Sequence, residues 1–186
     1  MPTAPVREYV RQACQRPENI FGPAFFDEHL AVVADCAARL ADHLRADSEV
    51  VELAAYLHDL SAVCDPATLP VHPEASARLA AQLLTERGYP PQTITAVADA
   101  IALHSAPLAL GQASPEAVCL SNADAAARIL RPAYWLYFAF RVRSQAFEEG
   151  RCWLRTLLET QWRDLIEPAK DLVGTQYALA TDLLRE

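Results

Sequence analysis

Lysine is almost absent from this chain of 186 residues, in which Lys170 is the single lysine among 16 basic residues. Acidic residues number 24, so the formal net charge is −8. Proteins that hold nucleic acid need a basic face against the phosphates, and this charge balance argues against that class. The other basic residues are arginines, which suit phosphate contacts but also fit a general preference of the chain for Arg and Ala.

Long apolar runs are also missing, since none reaches the ~18 residues that a membrane span requires. The five cysteines are widely spaced and include no Cys-x-x-Cys pair, which argues against a zinc ribbon and a disulfide framework. The N-terminus shows no secretory leader. We therefore expect a cytoplasmic protein without membrane association, in which most cysteines are small buried residues.

The apolar content of 52% is ample for a buried core. Apolar residues recur at helical spacing, as in Leu30, Val33, Ala37 and Leu40, and no strand-like alternation is found. Helix starts are marked by capping residues and proline, as in Ser114-Pro115-Glu116. The sequence therefore predicts an all-α protein.

The chain divides into three stretches that we expect to form a single domain. Residues 1–24 are an N-terminal segment with a loosely packed amphipathic helix, 25–130 form a helical core, and 131–186 form C-terminal helices packed on it. An aromatic-rich helix is predicted from Pro132 to about Glu149, ending at Gly150, with further helices over 151–166 and 168–185. Its aromatic residues indicate packing or a homodimer face rather than a platform for stacked bases.

An apolar helix predicted before residue 60 ends in the adjacent pair His58 and Asp59. Neighbouring side chains point about 100° apart around a helix, so this pair can meet one ion only from the last turn. Asp124 lies in a helical segment of small residues, where a buried carboxylate needs a partner or a metal. Together, these observations predict a metal centre at one end of a helical bundle.

The order of these residues resembles the HD superfamily of metal-dependent phosphohydrolases, whose pattern is H…HD…D. The resemblance covers about residues 25–130 and implies an HD-domain bundle with additional C-terminal helices. Two further histidines between the HD pair and the last aspartate are similar to those of predicted HD hydrolases. The residues that carry the resemblance are His29, His58, Asp59, His72, His104 and Asp124.

The resemblance implies one or two divalent ions per chain, with Asp59 bridging them. Mixed imidazole and carboxylate ligands suit Mn, Fe, Co, Ni or Zn, and Mg where water completes the set. The first ion would be held by His29, His58, Asp59 and Asp124. The second would be held by Asp59, His72 and His104.

The activity implied is hydrolysis of a phosphate ester or anhydride by in-line attack of metal-bound hydroxide, with Asp59 as a catalytic residue. The substrate would be a nucleotide or another small phosphorylated metabolite. Many HD phosphohydrolases carry a lysine shortly after the HD pair, whereas residues 60–65 contain none. Arg128 or Arg131 could contact the phosphate instead, although surface arginines are an equal alternative.

Two other functions stay open at this point. Some HD proteins use six ligands of this kind to activate O₂, so a di-iron oxygenase is one alternative. A non-catalytic module that binds a metal and a nucleotide or partner is the other.

Overall fold

The computed structural model describes residues 2–185, and these form α-helices without any β-strand, which confirms the all-α prediction. Among these residues, no helix has both the length and the apolar character needed to cross a bilayer. A π-helical turn, Phe26–Leu30, precedes the second helix, and a 3₁₀ helix, Pro66–Val71, precedes the fifth. The helices are α1 (Ala4–Cys14), α2 (Ala31–Leu44), α3 (Ser48–Leu57), α4 (Leu60–Cys64), α5 (His72–Glu86), α6 (Pro91–Leu103), α7 (Pro115–Leu130), α8 (Pro132–Arg141), α9 (Phe147–Asp164) and α10 (Glu167–Leu183).

A single continuous cluster of buried apolar side chains runs through the molecule, from Val6 in α1 to Leu184 after α10. The most extensive helix pairs are α2 with α7 and α5 with α6, and α3 packs against both α2 and α6. Helix α9 contributes Leu154 and Leu158 to the same cluster, and α10 contributes Val173. The C-terminal helices therefore share the core of the preceding helices.

Local capping fixes the starts of the helices that lead to the site. The Asp47 carboxylate accepts hydrogen bonds from the N–H groups of Glu49 and Val50, at 2.9 and 3.2 Å, at the start of α3. The Ser114 hydroxyl accepts one from Ala117, at 3.2 Å, at the start of α7. Such side chains satisfy the N–H groups that the first helical turn leaves without partners.

The N-terminal helix α1 is firmly packed, so the expectation of a loose segment is wrong. Val6, Val10 and Cys14 are fully buried, and α1 packs against α3 and α4. The Tyr89 hydroxyl also donates a hydrogen bond to the Pro2 carbonyl, at 2.9 Å. The apolar stripe of α1 covers the helices on either side of the HD pair, and this burial holds the segment in place.

The aromatic-rich helix ends eight residues earlier than predicted, at Arg141, and Gly150 lies inside α9. A loop over 142–146 intervenes, in which Ser144 has a positive φ of 55°. Gly150 is buried beneath the ring of Phe140, so its missing side chain allows α8 and α9 to approach each other. Glycine here serves close packing, which the sequence pattern misread as a helix end.

This packing predicts opposite effects for two Gly→Ala substitutions in helices. A Cβ at position 150 would collide with the Phe140 ring and lie 3.3 Å from the Ala139 Cβ, whereas one at Gly174 would make an ordinary 3.6 Å contact with Trp162. We expect Gly150→Ala to lower the free energy of unfolding by about 1–2 kcal/mol through overpacking. Gly174→Ala should raise it by about 0.5 kcal/mol through helix propensity. Urea denaturation followed by circular dichroism measures both, and equal shifts would contradict the packing at Gly150.

The cysteines behave mostly as the sequence predicts. Cys14, Cys36 and Cys119 are buried, Cys64 is half-buried and Cys152 is exposed, and all five thiols are free. Burial raises the pKa of the three buried thiols to about 12, which keeps them protonated and unreactive at neutral pH.

Candidate metal centre

The HD pair lies where the chain leaves α3. His58 directly follows the last helical residue, Leu57, and the backbone of Asp59 (φ −107°, ψ 8°) departs from the helix before α4 begins. The buried Ser76 hydroxyl accepts a hydrogen bond from the Ser61 N–H at 3.1 Å, which ties the new helix to α5. This break brings the Nε2 of His58 within 3.2 Å of the Asp59 Oδ2, beyond the end of α3.

His29 approaches the same point from the π-helical turn before α2. Its imidazole is fully buried, stacked on the Phe25 ring with centroids 4.9 Å apart and meeting the Trp135 ring edge-on at 5.2 Å. Its Nε2 lies 3.6 Å from the Asp59 Oδ2 and 3.2 Å from the Asp124 Oδ1. Single π-helical turns often occur at functional sites, and this one carries a candidate ligand.

Asp124 completes the first group of ligand atoms from the middle of α7. Its Oδ1 lies 3.8 Å from the His58 Nε2. Its Oδ2 forms an ion pair at 2.7 Å with the Nη1 of Arg128, one helical turn further on. Arg128 therefore fixes the orientation of the carboxylate and leaves Oδ1 directed at the histidines. The first group consists of the Nε2 atoms of His29 and His58, the Oδ2 of Asp59 and the Oδ1 of Asp124.

A second group forms around the other oxygen of Asp59. Its Oδ1 lies 3.3 Å from the Nε2 of His72 and 3.9 Å from the Nε2 of His104. The two Nε2 atoms are themselves 3.1 Å apart. Each oxygen of Asp59 thus faces its own set of imidazoles, the arrangement that a bridging carboxylate requires.

Three of the four histidines are oriented by the same local device. The Nδ1 atoms of His58, His72 and His104 lie 2.8, 2.9 and 2.7 Å from the backbone carbonyl oxygens three residues earlier. A proton on Nδ1 satisfies that carbonyl and directs the Nε2 lone pair at the centre, as in metal-ligating histidines. His58 and His104 directly follow helix ends, where the last carbonyls lack partners within the helix.

The geometry and the unpaired atoms of the cluster fit divalent ions. Two ligands each about 2.1 Å from one ion lie roughly 3.0–3.4 Å apart at octahedral or tetrahedral angles, close to most of the separations above. The Nε2 atoms of His29 and His58 and the Oδ1 of Asp124 are buried without a hydrogen-bond partner. Buried polar atoms are rarely left unpaired, and a bound cation would account for these three.

A family model for the HD domain matches residues 26–129, more than half of the chain. The chain belongs to the HD domain family. A crystal structure of a predicted HD superfamily hydrolase from an uncultured Thermotogales bacterium is similar in fold, with a TM-score of 0.65 and 24% sequence identity. The match covers 98% of this chain and 90% of that one. No curated protein sequence matches the chain.

Burial and mutual charge together set the pKa values of the histidines and aspartates in the two groups. For His104, burial and the neighbouring His58 lower the pKa to about 4, so its ring is neutral and able to bind a metal. For His58, burial alone would lower the pKa, but the negative charges of Asp59 and Asp124 outweigh it and raise the pKa to about 8. Although burial opposes ionisation of both carboxyls, the pKa of Asp59 is lowered mainly by His58 and that of Asp124 mainly by Arg128. Both acids are thus ionised before any cation binds.

A cavity of about 600 Å³ opens onto the second group of ligands and suits a small organic substrate. Its lining includes Asp59, His72, His104 and Asp124, whereas His29 and His58 lie behind them and are fully buried. Another wall of the cavity comes from α8 and α9. Its main side chains are Trp135, Phe138, Trp153, Leu157 and Gln161.

The structure separates the two candidate phosphate-binding arginines. Arg128 lines the cavity beside Asp124. Arg131 does not line it, and its Nε instead lies 3.4 Å from the Glu28 carboxylate. The sequence interpretation missed Ser105, whose hydroxyl lies 3.2 Å from the His104 Nε2, although its position next to a candidate ligand was a signal.

Proposed function

We propose that this HD domain protein is a metal-dependent phosphohydrolase that cleaves a phosphate ester or anhydride of a nucleotide or another small phosphorylated metabolite. The observation that supports the proposal most directly is that the two oxygens of the Asp59 carboxylate face different histidines. Its Oδ2 faces His58 at 3.2 Å, and its Oδ1 faces His72 at 3.3 Å. Such an arrangement suits two ions held close together beside a cavity of substrate size.

The chain supplies candidate ligands for each ion. The first would be held by His29, His58, Asp59 and Asp124, and the second by Asp59, His72 and His104. Divalent ions bound there would activate water near neutral pH and neutralise charge on the phosphoryl oxygens. Because three of the four imidazoles are held by backbone carbonyls, these ligands need little reorganisation to bind the ions.

Arg128 is the residue that we propose to contact the substrate phosphate. Its Nη1 is engaged by Asp124 at 2.7 Å and by Gln161 at 3.5 Å. The guanidinium group has five N–H donors in a fixed plane, so the donors that Asp124 and Gln161 do not use can bind an anion in the cavity. An arginine one turn after the last aspartate would thus take the place of the lysine that is missing after the HD pair.

The aromatic wall of the cavity would limit the access of water to the reacting phosphate. The rings of Trp135 and Phe138 are mostly buried, and they lie beside the polar groups of Asp124 and Arg128 in the cavity lining. Ionic contacts between the arginine and a phosphate are stronger where the solvent is partly excluded. This environment favours electrostatic stabilisation by the residues already in place.

A di-iron oxygenase is the second candidate, because six His and Asp ligands in two groups also suit iron. The test is elemental analysis of the purified protein, followed by chelation and reloading with each divalent metal. Each form is then assayed with phosphomonoesters, phosphodiesters and nucleotides. We expect about two ions per chain and phosphate release that depends on them.

The exposed His43 on α2 provides the control. His43→Ala should match the wild type in metal content and activity. Substrate-dependent O₂ uptake with a mixed-valence iron signal would replace the hydrolase by the oxygenase. Tight binding of phosphorylated ligands without turnover in any metal form would indicate a binding module.

A further inference from the structure

One part of the cavity wall is a series of aromatic rings that starts beside the candidate metal centre. It begins at Trp135, which contacts His29, and continues to Phe138 with ring centroids 5.5 Å apart. Phe138 then meets Trp153 with centroids 6.2 Å apart. All three aromatic side chains line the cavity, so a substrate anchored at the metals would lie along these rings.

Arg143 lies at the other end of this series. Its guanidinium carbon is 4.9 Å from the centre of the Trp153 ring, and the residue lines the same cavity. The backbone N–H of Arg143 donates a hydrogen bond to the Phe138 carbonyl at 3.1 Å, which anchors the loop after α8. Stacking of this kind restricts an arginine while leaving the N–H groups at its edge available to bind an anion.

Two arginines line the cavity, Arg128 and Arg143, and they differ in their acidic partners. Arg128 is paired with Asp124, and the carboxylate of Asp164 is paired with Arg163 at 3.0 Å. Within residues 2–185, no carboxylate forms an ion pair with Arg143. In a protein with a net charge of −8, such an exposed cation in a cavity lining would attract anionic ligands locally.

We propose that Arg143 and Trp153 form a second anion subsite, which binds a carboxylate or phosphate at the far end of a ring-bearing substrate. The ring of the substrate would lie on the aromatic wall between this subsite and the metal centre. The inference rests on the proposed function, because it assigns the reacting phosphate to the metal end. Arg143 is then a specificity residue that acts on binding and does not touch the reacting atoms.

The test uses non-hydrolysable phosphonates with the metal-loaded full chain, so that it does not depend on turnover. Benzylphosphonate carries a ring and one anionic group. The comparison series adds a para carboxylate attached directly, through one methylene, or through two. Calorimetry should show at least one carboxylated compound binding about tenfold more tightly than benzylphosphonate, the scale of a charge-assisted contact.

Arg143→Ala should remove that gain and leave benzylphosphonate binding unchanged, while Arg143→Lys should retain part of it. Arg141→Ala is the matched control, because Arg141 is exposed on α8 and does not line the cavity. The subsite is refuted if no carboxylated compound binds more tightly, or if Arg141→Ala and Arg143→Ala reduce the gain equally. If the gain and its loss are observed but no phosphate ester is cleaved, the subsite stands and the proposed activity falls.

Discussion

Replacement of Asp59 by asparagine is expected to remove metal from both groups of ligands and to lower metal-dependent phosphate release by about 10³-fold, the upper range for losing one preorganised electrostatic group. The carboxylate serves both groups, since its Oδ2 faces His29 and His58 while its Oδ1 faces His72. An amide keeps the shape of the side chain but removes the charge and one oxygen. Elemental analysis and initial rates with the best phosphate substrate measure the two effects.

The control for this substitution is Asp99→Asn, which makes the same chemical change on the exposed surface of α6. It should leave metal content and activity unchanged. Circular dichroism must show that the Asp59→Asn protein keeps its helices, so that loss of metal is not a consequence of unfolding. A folded Asp59→Asn protein with full metal content and activity would remove Asp59 from the site.

Several of the candidate ligands were predictable because local sequence marks them. His58 and His104 end apolar helical stripes, and the buried position of Asp124 follows from the small residues around it. Helical spacing alone does not separate the two arginines, because positions four and seven residues after Asp124 share one helix face, and the end of α7 separates them instead. Arg128 follows Asp124 by four residues and so lies on the same face of α7. Arg131 lies beyond the helix end, where the backbone (φ −126°, ψ 51°) turns the side chain toward Glu28.

The aromatic wall was not predictable in the same way, because it depends on how distant segments pack. Trp135 and Trp153 come from two helices whose boundary the sequence pattern misplaced at Gly150. A glycine that permits close helix contact and one that ends a helix look alike in sequence. Only the fold shows that the aromatic residues of 131–186 lie beside the ligands supplied by residues 25–130.

The two groups of ligands are expected to hold their ions with different strength. The first offers four protein ligands, and its histidines are fully buried, whereas the second offers three and opens onto the cavity through His72, whose side chain is 19% exposed. Closed four-ligand sites retain a metal, while three-ligand sites leave positions for water or substrate. We therefore expect His72→Ala and His104→Ala each to lower metal content from about two ions to about one per chain.

These variants should also lose phosphate release by about 10²-fold or more, because both histidines of the second group line the substrate cavity. His29→Ala is the informative comparison. It removes a ligand that does not line the cavity, and we expect it to release the more slowly exchanging ion, as measured by timed chelation and elemental analysis. His43→Ala controls for the loss of any histidine. Unchanged metal content in both His72→Ala and His104→Ala would leave only a mononuclear centre at the buried group, whose single ion would then have to reach the substrate past Asp59 and Asp124.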